Sequence, residues 1–279
     1  MFRADLLQGR VVVVTGGGSG LGFSMAERAA GLGAHVGIIG RTEKRLQDAA
    51  ERIERAGGRV AFAVADVRDP EAVHNAFDRL EGDLGPLDSL INNAAGNFLC
   101  TSEDLSPNAF NSVIQIVLNG TFHCSVDFGR RIISDSNRQG NILNIATTYS
   151  WTGSPFVLPS ACAKAGVLAM TRSLAVEWAT YGIRVNAIAP GPIPTKGAFS
   201  RLMAGDMEKT AKQRIPLNRF GTHREIADLA TYLLAGESGF ITGEVVTLDG
   251  GEWLQSGGEF AGLIQMDREQ LKQMFQSMR

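Results

Sequence analysis

The stretch Thr15-Gly16-Gly17-Gly18-Ser19-Gly20-Leu21-Gly22 follows the β-branched run Val11–Val14 and leads into a segment of helical period. A short apolar run, a glycine-rich turn and a helix, in that order, are the opening unit of a sheet crossed by helices. Glycines let the main chain of such a turn approach a ligand closely. The start of the following helix adds unpaired N–H groups and partial positive charge. The turn therefore suits a pyrophosphate, with Gly16, Gly18, Ser19, Gly20 and Leu21 as its candidate contacts.

The pattern continues outward from this unit. His35–Ile39, Val60–Ala65, Ser89–Asn92, Asn141–Ala146, Arg184–Ala189 and Val245–Leu248 are further short, β-rich runs. Between them lie segments long enough for helices: Leu21–Leu32, Arg45–Ala56, Glu71–Leu80, Asn108–Ser134, Pro159–Thr180 and Arg224–Ala235. Strands alternating with crossover helices predict an α/β chain, a doubly wound parallel sheet of the Rossmann type forming a single domain over residues 1–279. Two stretches break the alternation. Residues of about 190–216 contain four prolines, are too long for an ordinary connection and read as a substrate-covering lid. Residues of about 255–279 form a C-terminal helical tail, with Met266–Met278 as a short amphipathic helix.

Composition narrows the function classes. The formal net charge is −2, which gives no global basic field for nucleic acid. No apolar run approaches the ~20 residues that span a bilayer, so no membrane segment is expected. Cys100, Cys124 and Cys162 are scattered and lack metal-ligand spacing, which fits a reducing compartment and thiols used as small hydrophobes. His35, His74, His123 and His223 show no metal spacing either, and no metal site is expected. The first nine residues carry no apolar signal core, and Ser277-Met278-Arg279 is not a peroxisomal address, so the default location is cytoplasmic.

The end of the second strand selects the dinucleotide. An NAD site places an acidic residue there for the ribose hydroxyl, whereas Ile39-Gly40-Arg41-Thr42 places a cation where a 2′-phosphate would lie. NADPH is the expected cofactor. Asp66, after the third strand, suits the adenine amino group.

Three motifs then stand together: Thr15–Gly22, Asn92-Asn93-Ala94-Ala95-Gly96 after the fourth strand, and Pro190-Gly191-Pro192-Ile193 after the sixth. Together they resemble the short-chain dehydrogenase/reductase superfamily over nearly the whole chain. The superfamily keeps a Tyr-x3-Lys pair with a serine upstream. Here Lys164 is present, but Ser160 stands in place of the tyrosine and Thr147 in place of the serine. A serine hydroxyl is a far weaker acid than a phenol, whose ordinary pKa is ~10. Tyr149 supplies a phenol nearby. The set Asn97, Tyr149, Ser160 and Lys164 resembles the 2,4-dienoyl-CoA reductase family, with its mitochondrial-type and bacterial members. Lys196-Gly197-Ala198-Phe199-Ser200-Arg201 and Gly258-Glu259-Phe260 carry the same likeness toward the C-terminus.

That resemblance implies NADPH-dependent reduction of 2,4-dienoyl-CoA to trans-3-enoyl-CoA in the oxidation of unsaturated fatty acids. It implies that Tyr149 and Asn97 bind the thioester oxygen, that Ser160 helps orient the nicotinamide end and that Lys164 holds the ribose hydroxyls. Val67, Pro190, Gly191 and Ile193 would complete the cofactor contacts, and Arg68, Phe98, Ser106 and Arg201 the substrate contacts. A homotetramer is the assembly it implies, with Asn108–Ser134 and Pro159–Thr180 packed between subunits. Other readings remain open: a trans-2-enoyl or 3-oxoacyl thioester reductase, or an NADPH-binding regulator without turnover. Asn119, inside the long fourth crossover, either ties a water to Lys164 or satisfies a kinked backbone.

Overall fold

The computed structural model describes residues 2–195, 206–258 and 261–277. Seven strands form one parallel sheet: β1 (Val11–Thr15), β2 (His35–Gly40), β3 (Arg59–Val64), β4 (Ser89–Asn92), β5 (Gly140–Ile145), β6 (Ile183–Pro190) and β7 (Val245–Leu248). Their order is β3-β2-β1-β4-β5-β6-β7, so the direction of winding reverses between β1 and β4. In an open α/β sheet, ligands bind in the crevice beyond the carboxyl ends of the strands at that reversal.

The valine run shows why the sheet is covered on both faces. Side chains alternate along a strand, so Val12 and Val14 pack into one apolar layer while Val11 and Val13 pack into the other. The first layer is shared with α1 (Gly20–Ala30), α2 (Glu43–Arg55) and a late helix over His223–Leu234. The second is shared with α3 (Pro70–Leu84) and the helices after β4. Helix starts follow local chemistry. Asp69 accepts from Glu71 N and Ala72 N to cap α3, and Thr222 and Glu225 form a reciprocal cap on the late helix.

The helix expected over Asn108–Ser134 is divided. It runs as α4 (Pro107–Ile114), a π turn over Gln115–Asn119, and α5 (Gly120–Ile133). The break has a packing cause: a Cβ at Gly120 would lie 2.6 Å from Val67 Cγ2, so the start of α5 presses against the segment after β3. Asn119 donates from Nδ2 to Gln115 Oε1 at 2.9 Å, within the turn itself.

Beyond β5 come α6 (Tyr149–Thr152) and α7 (Leu158–Glu177), and beyond β6 come α8 (Asp206–Gln213) and the late helix, α9 (His223–Leu234). After β7 the chain forms α10 (Glu252–Gly257) and, in the tail, α11 (Arg268–Ser277), which buries Leu271. The cysteines divide three ways. Cys124 is buried, and burial pushes its thiol up; Cys100 is half-buried; Cys162 is exposed, so the expectation of three hydrophobic thiols fails there. Among the described residues no helix is long and apolar enough to cross a membrane.

Candidate active site

The carboxyl ends of β1 and β4 are tied together by side chains. Thr15 Oγ1 accepts from Asn93 N and Ala94 N, both at 3.0 Å, and Asn93 Nδ2 donates to Thr15 O at 3.0 Å. The glycine turn is thereby held against the Asn92–Gly96 segment. At its tightest points it has no room for a side chain: a Cβ at Gly22 would meet Gly16 O at 2.4 Å, and Gly16 itself has φ +66. Ser19 caps α1 without a side-chain hydrogen bond, leaving the first N–H groups of the helix for a ligand.

Beside this turn runs a groove of about 290 Å³ lined by Gly16, Gly18, Ser19, Arg41, Asp66, Val67 and Ala94, among others. The residues fit a dinucleotide, with main-chain donors at one end and mixed charge at the other. Arg41 is 62% exposed and stands 3.9 Å from Asp66. Asp66 is the better-held partner: the Arg68 guanidinium, 2.6 Å away, keeps its carboxyl below the ordinary range. Arg68, expected on the substrate, is paired with Asp66 in this structure.

Three of the four proposed reacting residues lie close together. Tyr149 opens α6, just beyond β5, and its Oη lies 3.0 Å from Ser160 Oγ on α7. One helical turn on, Lys164 lies on the same face, buried, with Nζ donating to Ile145 O. Burial lowers the Lys164 ammonium from 10.5 to about 8. Thr147, in the usual serine position, instead pairs with Ser150 at 3.3 Å.

Asn97 is less fully placed. It is exposed in the loop after β4, where its Oδ1 accepts from Phe98 N at 2.9 Å, so only its amide N–H groups remain to donate. The loop is nonetheless joined to the segment after α6, since Cys100 N donates to Phe156 O at 3.0 Å. Phe98 is 37% exposed on the same loop. Ser106 is the N-cap of α4, its Oγ accepting from Ala109 N at 3.2 Å, and this structural task explains the residue without a ligand. Arg201 lies outside the described residues, as do 196–205 of the expected lid and Glu259-Phe260.

Tyr149 faces a cleft of about 880 Å³. One wall is Thr147–Pro155; Pro190, Gly191 and Ile193 continue it past β6; the far wall is Arg214, Glu252, Trp253 and Leu254. Trp253 stacks on Trp151 with ring centroids 5.0 Å apart, clamping α10 to α6. Glu252 is 19% exposed, and burial raises its carboxyl, with Arg214 at 3.9 Å acting against that rise. Sequence reasoning missed this wall. The available signal was an aromatic and an acidic residue directly after the turn Asp249-Gly250-Gly251, at the carboxyl end of a parallel strand.

A family model described as Enoyl-(Acyl carrier protein) reductase matches residues 16–252. The chain is 47% identical over 251 residues to a Bacillus subtilis protein named probable 2,4-dienoyl-CoA reductase, (2E)-enoyl-CoA-producing, covering 89% of this chain and 98% of that one. It is 39% identical over 276 residues to a Rattus norvegicus protein named peroxisomal 2,4-dienoyl-CoA reductase, (3E)-enoyl-CoA-producing, covering 98% and 93%. Among solved structures, a short chain dehydrogenase from Bacillus anthracis superposes with a TM-score of 0.82 at 48% identity, covering 88% of this chain and 97% of the other. A gluconate 5-dehydrogenase from Burkholderia cenocepacia, solved in complex with NADP and tartrate, gives 0.84 at 29% identity, covering 89% and 97%.

Proposed function

The chain belongs to the short-chain dehydrogenase/reductase family, and from that premise we propose that it reduces 2,4-dienoyl-CoA thioesters with NADPH in the oxidation of unsaturated fatty acids. The observation that carries this reading is the phenol: Tyr149 Oη stands 3.0 Å from Ser160 Oγ, the position where a carbonyl reductase keeps its own tyrosine. In carbonyl reduction the oxygen that gains charge is bonded to the carbon that accepts hydride. In a dienoyl thioester the hydride enters at the δ-carbon and the charge appears on the thioester oxygen, several bonds away. The donor must move with that oxygen.

Bound NADPH supplies the hydride. Tyr149 donates to the thioester oxygen as the dienolate forms, and the Asn97 amide is the second donor. Ser160 orients the phenol through their shared hydrogen bond. Lys164, buried beside them, holds the nicotinamide ribose. Arg41 would meet the 2′-phosphate, Arg201 the CoA phosphates, joined by Arg68 when it exchanges Asp66 for them, and Phe98 would line the acyl path.

Incubation with a 2,4-dienoyl-CoA and NADPH, followed by mass analysis, tests this. The expected product has gained one hydride and one proton, with a 3-oxoacyl-CoA left unchanged; the reverse selectivity ends the proposal. The same reading takes the chain to be a cytoplasmic homotetramer, and sedimentation as a monomer would remove that assembly.

A further inference from the structure

The dienolate formed in such a reaction can take its proton at two carbons. Protonation at the α-carbon leaves a (3E)-enoyl product, and protonation at the γ-carbon a (2E)-enoyl product. The relatives' names divide on this point, (2E) for the Bacillus subtilis protein and (3E) for the rat protein. Water already prefers the α-carbon of a dienolate, where the charge density is greater, but a positioned acid makes the transfer fast and fixes its site.

Among the described residues lining the cleft, the one carboxyl group is that of Glu252. Its position is fixed twice. The Asp249 carboxylate accepts from Gly251 N at 2.8 Å and Trp253 N at 2.7 Å, which sets the start of α10 with Glu252 as its first residue. The Trp253–Trp151 stack then pins that helix to α6, the helix that carries Tyr149. The acid and the phenol therefore stand on two clamped elements facing one cavity, and the α-carbon of a thioester is two bonds from the oxygen that Tyr149 would hold.

We propose that Glu252 is the general acid that protonates the α-carbon, so that this chain releases the (3E)-enoyl-CoA. The assignment rests on the dienoyl-CoA reading above. In the step, the Glu252 O–H bond breaks and its proton passes to the α-carbon. The enolate π pair becomes the new C–H bond, the thioester C=O reforms, and the carboxylate regains a proton from solvent. Partial burial and nearby Asp249 raise the Glu252 carboxyl, which favours its protonated form, while Arg214 lowers it.

The test compares wild type, Glu252→Gln and Arg214→Ala by NMR of the product formed in D₂O, with a pH profile of kcat. Wild type is expected to give the (3E) isomer deuterated at the α-carbon. Glu252→Gln is expected to lower steady-state kcat about 10²-fold and to remove the high-pH limb of its profile, while keeping single-turnover NADPH oxidation within about threefold. Because the acid is active when protonated, kcat falls as pH rises through its titration, and Arg214→Ala moves that limb to higher pH. This last readout does not depend on the Gln variant folding. A wild-type (2E) product, or an unchanged kcat and pH profile in Glu252→Gln, overturns the inference while leaving dienoyl-CoA reduction intact. Absence of any dienoyl-CoA turnover by wild type overturns the function and the inference together.

Discussion

The two ends of the catalytic crevice are built differently. The cofactor groove is narrow, about 290 Å³, and takes its turn from one contiguous run of glycines tied to Asn93 and Ala94. The substrate cleft, about 880 Å³, is assembled from the segments after β5, β6 and β7, with side chains supplying most of its character. A groove made of main chain admits little sequence variation and recognises a constant ligand part. A cleft made of remote side chains can be retuned one wall at a time. On the proposed function, a serine at position 160 with the phenol at Tyr149 is such a retuning.

If the ends are separable, removing the phenol should damage one and spare the other. Tyr149→Phe is expected to lower kcat by ~10²–10³-fold, with NADPH affinity by fluorescence titration unchanged; equal loss of both would break the comparison. Lys164 lies at the junction and gives the next largest effect. Its folded-state pKa is about 8 against an ordinary 10.5. Below the lower value the ammonium is charged in both states, and its burial opposes folding. Between the two values the unfolded chain binds more protons, so stability of the cofactor-free protein rises with pH, by up to about 3 kcal/mol. Denaturant titrations across that range should show the rise, and Lys164→Met should flatten it. The smallest effect belongs to the adenine end: Arg41→Ala should reduce the preference for NADPH over NADH about tenfold, a change of ~1.4 kcal/mol, with kcat for the dienoyl substrate little altered.

The same contrast explains what could be read from sequence. The strand at Val245–Leu248 and the glycine turn were legible because their signals are local: a β-branched run, and glycines where a Cβ has no room. Tyr149, Ser160 and Lys164 were legible through the resemblance of their motif to the 2,4-dienoyl-CoA reductase family, and the fold then places Tyr149 against Ser160. The break at Gln115–Asn119 was not, because its cause is Gly120 pressing on Val67, more than fifty residues away in sequence. Nor was the engagement of Arg68 with Asp66, since two residues separated by one position can either pair or reach different ligands. The Glu252–Trp253 wall stayed hidden for a related reason. Its relation to Tyr149 exists only through the Trp151 stack, which joins α6 to α10 across a hundred residues of chain.

The central claim is that the relocated phenol serves a dienoyl thioester and not a carbonyl. Parallel initial rates of NADPH oxidation by wild-type protein, with a 2,4-dienoyl-CoA and with a 3-oxoacyl-CoA of the same chain length, test it most directly. The account predicts rapid oxidation with the dienoyl substrate and little with the oxoacyl one. Clear oxoacyl turnover without dienoyl turnover would contradict it, and would mean that Ser160 acts where a phenol was thought necessary.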